Sequence, residues 1–341
     1  MGCRCRRPPS RRALISQLMT PNWKRRLARR AEHLLGPIVD TKSAVLERRL
    51  REETDALRAA VGRGECQARA GAAPGDLRAA EFQVFSQWNE DGVIQHLVRN
   101  VPIADPTFIE FGVESYRESN TRFLLVNNAW RGLAIDGGDA HRRFLYSDSE
   151  LGWRYPIDAR TAFLTRETVN DVFRDAGFVG DVGLLSIDVD GNDYWLWDAI
   201  DVVSPRVVIV EYNSTFGAEH AVTVPYDPTF DVAEAHFSRL YFGASLPALV
   251  GLGGRKGYQF VGCESHGANA FFVRNDVAGR LPSLSAAQGY VASWFRSSRD
   301  EAGRLTFVGP HADRLALMGN EVVEHVPDGR RVRIRDLFRL D

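Results

Sequence analysis

The stretch GLLSIDVDGNDYWLW, residues 183–197, decides the fold class. It begins with an apolar run of strand length, Gly183–Asp188, and continues into a helix predicted at Tyr194–Ile200. The strand is apolar throughout instead of alternating, which is typical of a parallel sheet covered by helices on both faces. The acidic turn between strand and helix then lies at the carboxyl edge of the sheet, where such sheets bind their ligands.

The same pattern of strand followed by helix repeats on both sides of this unit. Further strands are predicted at Phe108–Val113, Gly132–Asp136, Thr161–Leu164 and Val207–Glu211, with a helix at Glu167–Ala176. A long helical region at Val232–Leu252, broken by Pro247, precedes two close strands at Tyr258–Cys263 and Ala270–Arg274. This order predicts an α/β, Rossmann-like sheet that is mostly parallel and ends in an antiparallel hairpin, as in class I methyltransferases.

Composition divides the chain into four segments. Residues 1–37 form a basic arm, because the first thirty residues contain ten arginines and lysines and no acid. Such an arm is either a flexible tail, which we favour, or a helix that contacts an anionic membrane surface. Residues 38–76 are predicted to be a helical extension, with the helix over 38–61, followed by a linker rich in glycine and alanine. Residues 77–300 would be the methyltransferase-like domain, and residues 301–341 a C-terminal extension without an assigned role.

Charge, cysteine content and hydropathy exclude several classes of function. The 43 basic and 44 acidic residues leave a net charge of −1, so a general electrostatic grip on nucleic acid is not expected. Four cysteines in 341 residues do not make a disulfide framework, which favours a cytoplasmic location. No apolar run approaches the roughly 20 residues that a membrane-spanning helix needs.

Carboxylates stand at the end of four predicted strands. They belong to the segments Glu110–Gly112, Asp136–Gly138, Asp188–Asp193 and Glu211–Asn213. A carboxylate at the end of the second strand can accept both ribose hydroxyls of a nucleoside, and Asp136 is placed for this role. The first turn has Gly112 but not the G-x-G-x-x-G pattern that brings a pyrophosphate close to the backbone. The sequence therefore favours S-adenosylmethionine, a nucleoside without phosphates, over NAD.

Together these motifs resemble those of the FkbM-like methyltransferases, which depend on S-adenosylmethionine. The matching stretches follow the order of that family: SQWNEDGVIQ (86–95), FIEFGVESYRESNTRFLL (108–125), WRGLAIDG (130–137), LLSIDVDGNDYWLW (184–197), VVIVEYN (207–213) and KGYQFVGCESHGANAFFVRND (256–276). The resemblance implies O-methyl transfer to a hydroxyl of a sugar, a glycolipid or a polyketide-like product. It also implies cofactor contacts at Glu110, Gly112, Asn120, Asp136 and Asp188.

Two features depart from the pattern of the family. The segment Glu114–Tyr116 stands where a second glycine would be expected, and Asp190–Asp193 reads Asp-Gly-Asn-Asp where many relatives have Glu-Gly-Ala-Glu. The substrate or the metal chemistry can differ for this reason. A structural interpretation of Asp190 and Asp193 is that they form the turn and cap the following helix.

Methyl transfer to a hydroxyl requires a route for the hydroxyl proton, and two routes are predicted. Mg²⁺ held by Asp188 or Asp190, together with Glu211 and Asn213, would acidify a bound hydroxyl. This set resembles the ligands of catechol-type methyltransferases. Alternatively a histidine acts as the base, and the candidates are His220, just after the fifth strand, and His266, in the terminal hairpin.

Two other functions remain open at this point. Asp188-Val189-Asp190 also matches the D-x-D motif with which metal-dependent glycosyltransferases hold a sugar diphosphate. The domain could also be an inactive scaffold tethered by its basic arm. In the methyltransferase interpretation the partner is a small-molecule or glycan acceptor, and the sequence does not determine the oligomeric state.

Overall fold

The computed structural model describes residues 22–293, 297–309 and 311–340, with side chains from residue 45 onwards. The chain divides after Thr54 into two compact units. Helix α1, Asn22–Ala68, contains the helix predicted over 38–61 and continues through residues 62–68 of the expected linker. The backbone of residues 22–37 of the basic arm is helical, and residues 1–21 of that arm lie outside the described residues.

Gly62 shows why the end of α1 is not a free linker. A Cβ atom at this position would lie 2.5 Å from Val84 Cγ2 and 2.7 Å from Phe123 Cζ, so the helix is in close contact with the domain here. The assignment of residues 77–300 as one domain stays a prediction.

A seven-stranded sheet forms the centre of the larger unit. Its strands are β1 (Thr107–Phe111), β2 (Arg131–Asp136), β3 (Ile157–Thr161), β4 (Gly180–Ile187), β5 (Val203–Glu211), β7 (Tyr258–Cys263) and β8 (Asn269–Arg274). They are arranged in the order β3-β2-β1-β4-β5-β8-β7. The first five are parallel, whereas β8 pairs antiparallel with both β5 and β7. The predicted fold class, a mostly parallel Rossmann-like sheet with a terminal antiparallel hairpin and an N-terminal helix, is confirmed.

Helices cover both faces of this sheet and connect its strands. After α1, the described α-helices are α2 (Leu77–Ala80), α3 (Glu90–Asn100), α4 (Arg122–Asn128), α5 (Ala140–Arg143), α6 (Leu151–Arg154), α7 (Val169–Asp175), α8 (Asp193–Ala199), α9 (Val232–Ala235), α10 (Leu246–Arg255), α11 (Ala286–Gly289), α12 (His311–Leu317) and α13 (Ile334–Phe338). Central strand residues such as Ile109, Leu133 and Leu185 are fully buried. The strand ends at the carboxyl edge are thereby held in fixed positions by packing.

Two predicted elements are placed differently by the structure. The third strand is Ile157–Thr161 and not Thr161–Leu164, so its apolar end belongs to the loop that follows. The predicted helical region Val232–Leu252 is not one helix but two short ones, α9 and α10, with a loop between them. Pro247 does not break a helix. It stands in the first turn of α10, where its missing N–H is not needed.

A second, three-stranded antiparallel sheet lies outside the central one. It consists of β6 (Val222–Thr223), β9 (Val322–His325) and β10 (Arg330–Arg333), in the order β10-β9-β6. Thr223 pairs with Glu324, and Phe216, Met318 and Ile334 are buried beside the sheet. The C-terminal extension therefore packs onto the segment that follows β5, a contact that the sequence did not predict.

The length and hydropathy of the described helices decide whether any of them could span a membrane. Among the residues that the structure describes, no helix has both the length and the apolar content that spanning a bilayer requires.

Candidate active site

One large cavity opens at the carboxyl ends of the parallel strands. Its volume is about 940 Å³, and its floor is made by the ends of β1, β2, β4 and β5 and by the loop after β3. The opposite wall comes from Phe230 and Arg239, from Ser293 and Ser297, and from Trp88 and His266. This is the edge at which an open parallel sheet binds ligands, as predicted.

Gly112 allows the ends of β1 and β4 to meet at the cavity floor. Its φ is +80°, and a Cβ atom here would lie 1.3 Å from the carbonyl oxygen of Asp188. The amide of Asp188 donates to the carbonyl of Phe111 at 3.2 Å. Glycine is therefore required at this position, and the backbone itself forms the surface that a ligand would contact.

Asp136 stands at the end of β2 in a fixed orientation. Its Oδ2 accepts a hydrogen bond from the amide of Glu114 at 2.8 Å, and its Oδ1 accepts one from the amide of Gly138 at 2.7 Å. Each carboxylate oxygen has room for a second hydrogen bond. Phe163, 61% exposed, lines the cavity beside Gly137 in the loop after β3. A carboxylate and an aromatic ring thus stand together at this end of the cavity.

Glu110 and Asn120 were predicted to contact the cofactor, but the structure places both behind the cavity wall. Glu110 accepts hydrogen bonds from the amides of Asn120 at 2.9 Å and Thr121 at 3.1 Å, and from the hydroxyls of Ser119 and Thr121. Asn120 donates from Nδ2 to Ser186 Oγ at 3.1 Å. Neither is among the described residues that line the cavity. Their hydrogen bonds instead fix the loop between β1 and α4.

Three carboxylates converge where β4 and β5 end. One oxygen each from Asp188, Asp190 and Glu211 lies within 4.8 Å of the others. Burial of the carboxyl group raises the pKa of Asp188 well above its usual value, and the charges of Glu211 and Asp190 raise it further. Like charges at this separation favour a proton or a cation between them.

A fourth carboxylate, that of Asp193, stabilises the turn after β4 that carries Asp188 and Asp190. Asp193 is fully buried, and it accepts hydrogen bonds from the amides of Val189 at 2.9 Å and Gly191 at 3.0 Å. Burial raises its pKa to about 6. Asp190 adopts a left-handed conformation, with φ of +54°, in the same turn. Both residues therefore belong to the turn, as the structural interpretation predicts, but neither caps the helix, because the N-cap residue is Asn192 and it makes no side-chain cap bond. Asp190 also lines the cavity.

Asn213 does not belong to this cluster. Its Nδ2 donates to the carbonyls of Leu240 at 2.8 Å and Phe242 at 3.1 Å, and its Oδ1 accepts from the amide of Thr215 at 3.0 Å. The amide group is thus used to fix the loop after β5. The predicted set of four metal ligands is reduced to Asp188, Asp190 and Glu211.

Of the two histidines predicted as bases, the structure brings only His266 to the cavity. Its ring stacks on that of Trp88, with centroids 4.5 Å apart and planes inclined by 17°. The ring of His220 instead packs against Phe338 at 5.1 Å, beside the second sheet, and His220 is not among the described cavity residues. We therefore do not include His220 in the site.

Sequence reasoning did not assign a role to several residues that line the cavity. Phe230, Arg239 and Asn192 line the cavity, although only Asn192 belongs to a motif noted in the sequence. The Nδ2 of Asn192 donates to the carbonyl of Asp227 at 2.8 Å, while its buried Oδ1 accepts no hydrogen bond from any residue that the structure describes. Such a buried acceptor suits the donor of a ligand. The other two residues have no sequence signal, because only the folded loops bring them to the cavity.

Comparison with known proteins gives remote similarities. No model of a known family matches the chain, and no curated protein matches it. Among solved structures it is similar to the N-terminal domain of EvdMO1 with SAH bound, at 12% identity over 55% of this chain and 80% of that one, with a TM-score of 0.34. It is similar to the CMeT domain of the citrinin polyketide synthase, at 11% identity over 56% of this chain and 55% of that one, with a TM-score of 0.36. It is also similar to an O-methyltransferase family protein from Burkholderia thailandensis, at 12% identity over 69% of this chain and 72% of that one, with a TM-score of 0.33.

Proposed function

We propose that this protein transfers a methyl group from S-adenosylmethionine to a hydroxyl of a sugar-like or related acceptor, either a small molecule or a glycan. The observation that carries the proposal is the position of Asp136. Its carboxylate stands at the end of β2, is fixed by two backbone amides and borders the cavity beside Gly112. A carboxylate so placed accepts the two hydroxyls of a ribose, while the single glycine turn suits a cofactor without phosphates.

The size and charge of the cavity support the same proposal. A volume of about 940 Å³ is at the upper end of the range for small-molecule sites, so a cofactor and an acceptor have room together. The acidic cluster of Asp188, Asp190 and Glu211 lies on the cavity floor. Carboxylates there favour the positive charge of a sulfonium over a neutral or anionic nucleotide. Phe163 supplies an apolar surface for the adenine ring at the other end.

In the proposed reaction the acceptor oxygen attacks the methyl carbon of the sulfonium in line with the breaking S–CH₃ bond. The bond between oxygen and carbon forms, the sulfur leaves as a thioether, and the hydroxyl proton must go to a base. We assign this role to His266, whose ring lines the cavity. The protein's main contribution is then to hold the two reactants in line and to accept one proton.

A divalent cation is a second route for the proton, and the residues fit one. The three carboxylates of the acidic cluster offer oxygen ligands, the type that Mg²⁺ prefers. A bound Mg²⁺ would lower the pKa of a hydroxyl next to it. In this proposal Asp188, Asp190 and Glu211 hold the ion, and Asp193 keeps the turn in the conformation that presents Asp190.

Calorimetric titration tests the cofactor directly. We expect SAH to bind and UDP with Mn²⁺ not to bind. The variant Asp136→Ala should weaken SAH binding by roughly ten- to a hundredfold, because hydrogen bonds to a charged group contribute about 1.5–3 kcal/mol. Asp139→Ala, on the same loop but exposed and paired with Arg143, is the matched control. Binding of UDP alone would favour the D-x-D glycosyltransferase, and binding of neither ligand would favour an inactive scaffold.

Three finer assignments also remain proposals. Membership in the FkbM-like family rests on the motifs quoted above. A cytoplasmic location rests on cysteine usage, and contact with a membrane surface rests on the basic composition of residues 1–37. Deletion of that arm followed by vesicle sedimentation tests the last of these.

A further inference from the structure

Two aromatic side chains from distant parts of the chain meet at the cavity wall. Trp88 precedes α3, and His266 lies in the loop between β7 and β8. Their rings are stacked with centroids 4.5 Å apart, both line the cavity, and the side chain of His266 is 22% exposed. We call this pair the ring platform. Half-buried aromatic rings that line a cavity can contact a ligand there.

A buried carboxylate holds the two halves of the ring platform together. Glu90 is fully buried, and its Oε2 accepts the amide of Trp88 at 2.9 Å. Its Oε1 accepts Nδ2 of Asn269 at 2.9 Å, from the strand that follows the His266 loop. One side chain thus fixes both segments that carry the rings.

The loop of His266 is fixed from a second side as well. Glu264 is fully buried and accepts the four successive backbone amides of residues 266–269. Glu81 also fixes this loop, because it accepts hydrogen bonds from the amide of Ser265 at 2.8 Å and from Nδ2 of Asn89 at 3.1 Å. Buried carboxylates are unfavourable unless they are fully hydrogen-bonded. Two buried carboxylates, Glu90 and Glu264, and the half-buried Glu81 converge on this pair, which therefore has a rigid, preorganised geometry.

The surroundings of the ring platform indicate the chemistry of its ligand. Arg239, Ser293 and Ser297 line the same cavity, and Asn192 presents an amide oxygen that accepts no bond from the described residues. The cavity therefore offers polar donors and acceptors together with an aromatic surface. A sugar ring matches this combination, since its C–H face lies on an aromatic ring while its several hydroxyls point outwards to polar groups. A phenolic ring offers only one or two oxygens for the same polar wall.

We propose that the ring platform of Trp88 and His266 is the acceptor subsite, and that it binds the C–H face of a pyranose ring. The inference rests on the proposed function for the identity of the cavity's other occupant. It assigns the binding of the acceptor ring to Trp88, a residue that plays no part in methyl transfer itself.

Saturation-transfer NMR on the full chain tests this subsite. The probes are methyl α-D-glucopyranoside, methyl β-D-galactopyranoside and catechol, each with and without SAH. We expect saturation at the ring C–H protons of a glycoside. Trp88→Ala should reduce it about three- to tenfold, the loss of one stacking contact. Trp88→Phe should largely retain it. Trp153→Ala is the matched control, because Trp153 is 72% exposed and lies outside the described cavity lining.

The outcomes separate this inference from the proposed function. Glycoside signals that are equal in the wild type and Trp88→Ala would overturn the subsite, as would signals from catechol alone or from no probe. Trp88→Leu repeats the comparison if the alanine variant fails to fold, as judged by its thermal unfolding. Failure of the wild type to bind SAH would refute methyl transfer, whereas glycoside signals without SAH still report on the ring platform.

Discussion

The burial of Glu90 predicts that the free energy of unfolding of the protein depends on pH. Desolvation, and then the charge of Glu264, raise the pKa of Glu90 from 4.5 to about 7. Between these two values the folded protein holds a proton that the unfolded chain releases. The free energy of unfolding therefore falls as the pH rises from about 4.5 to about 7, and this contribution is constant above that window. At about 1.4 kcal/mol per pKa unit, the loss across roughly 2.5 units is about 3 kcal/mol.

The variant Glu90→Gln replaces the titrating carboxyl group by a neutral amide of similar size. Gln accepts either the Trp88 amide or Asn269 Nδ2 but not both, so we expect it to be about 1 kcal/mol less stable than the wild type at pH 5. Its stability relative to the wild type should then rise by about 3 kcal/mol between pH 5 and pH 8. Urea unfolding at several pH values measures both curves, with the exposed Glu234→Gln as the control. Parallel curves for the wild type and Glu90→Gln would show that the burial argument is mistaken.

Three further predictions concern the site itself. Gly112→Ala should abolish SAH binding and lower the thermal midpoint. Gly177 has φ of +74°, and a Cβ atom there would have no atom within 4 Å, so Gly177→Ala should show only the conformational cost of about 1–2 kcal/mol. Equal effects would contradict the close approach to β4. Asp188→Asn should weaken Mg²⁺ binding by at least about tenfold in calorimetry, because it removes one of three charged ligands. Unchanged Mg²⁺ binding would remove the metal from the proposal. His266→Ala should lower the rate of methyl transfer by about 10²–10⁴-fold. His220→Ala should not change the rate, because the ring of His220 lies outside the described cavity lining. The reverse result would return His220 to the site.

The sequence predicted the sheet and the position of the cavity because both follow from local patterns. Apolar runs identify parallel strands, and parallel strands bring their carboxyl ends to one edge, so Asp136 and Asp188 had to lie near each other. The second sheet could not be predicted in this way. β6 has only two residues and pairs with β9, one hundred residues later, so neither a repeating pattern nor a turn connects them.

The roles of individual polar residues were harder to predict than their positions. Glu110 and Asn213 lie at the expected strand ends, but their side chains hydrogen-bond to neighbouring loops, and the side chain of Asn120 donates to Ser186 on β4. Residue type does not reveal whether a carboxylate or an amide faces a cavity or the backbone behind it. The contact of Trp88 with His266 was likewise missed, because it depends on the packing of two loops that no sequence pattern links.

The two walls of the cavity come from different parts of the fold, so the sequence of one wall can change while the other is kept. The strand ends that would grip a nucleoside belong to the central sheet, whereas Phe230 and Arg239 belong to a loop next to the small sheet of β6, β9 and β10. Substitutions in that loop leave the parallel strands untouched. Under the proposed function, substitutions in that loop would change which acceptor the cavity binds and would leave the strand ends that bind the nucleoside as they are.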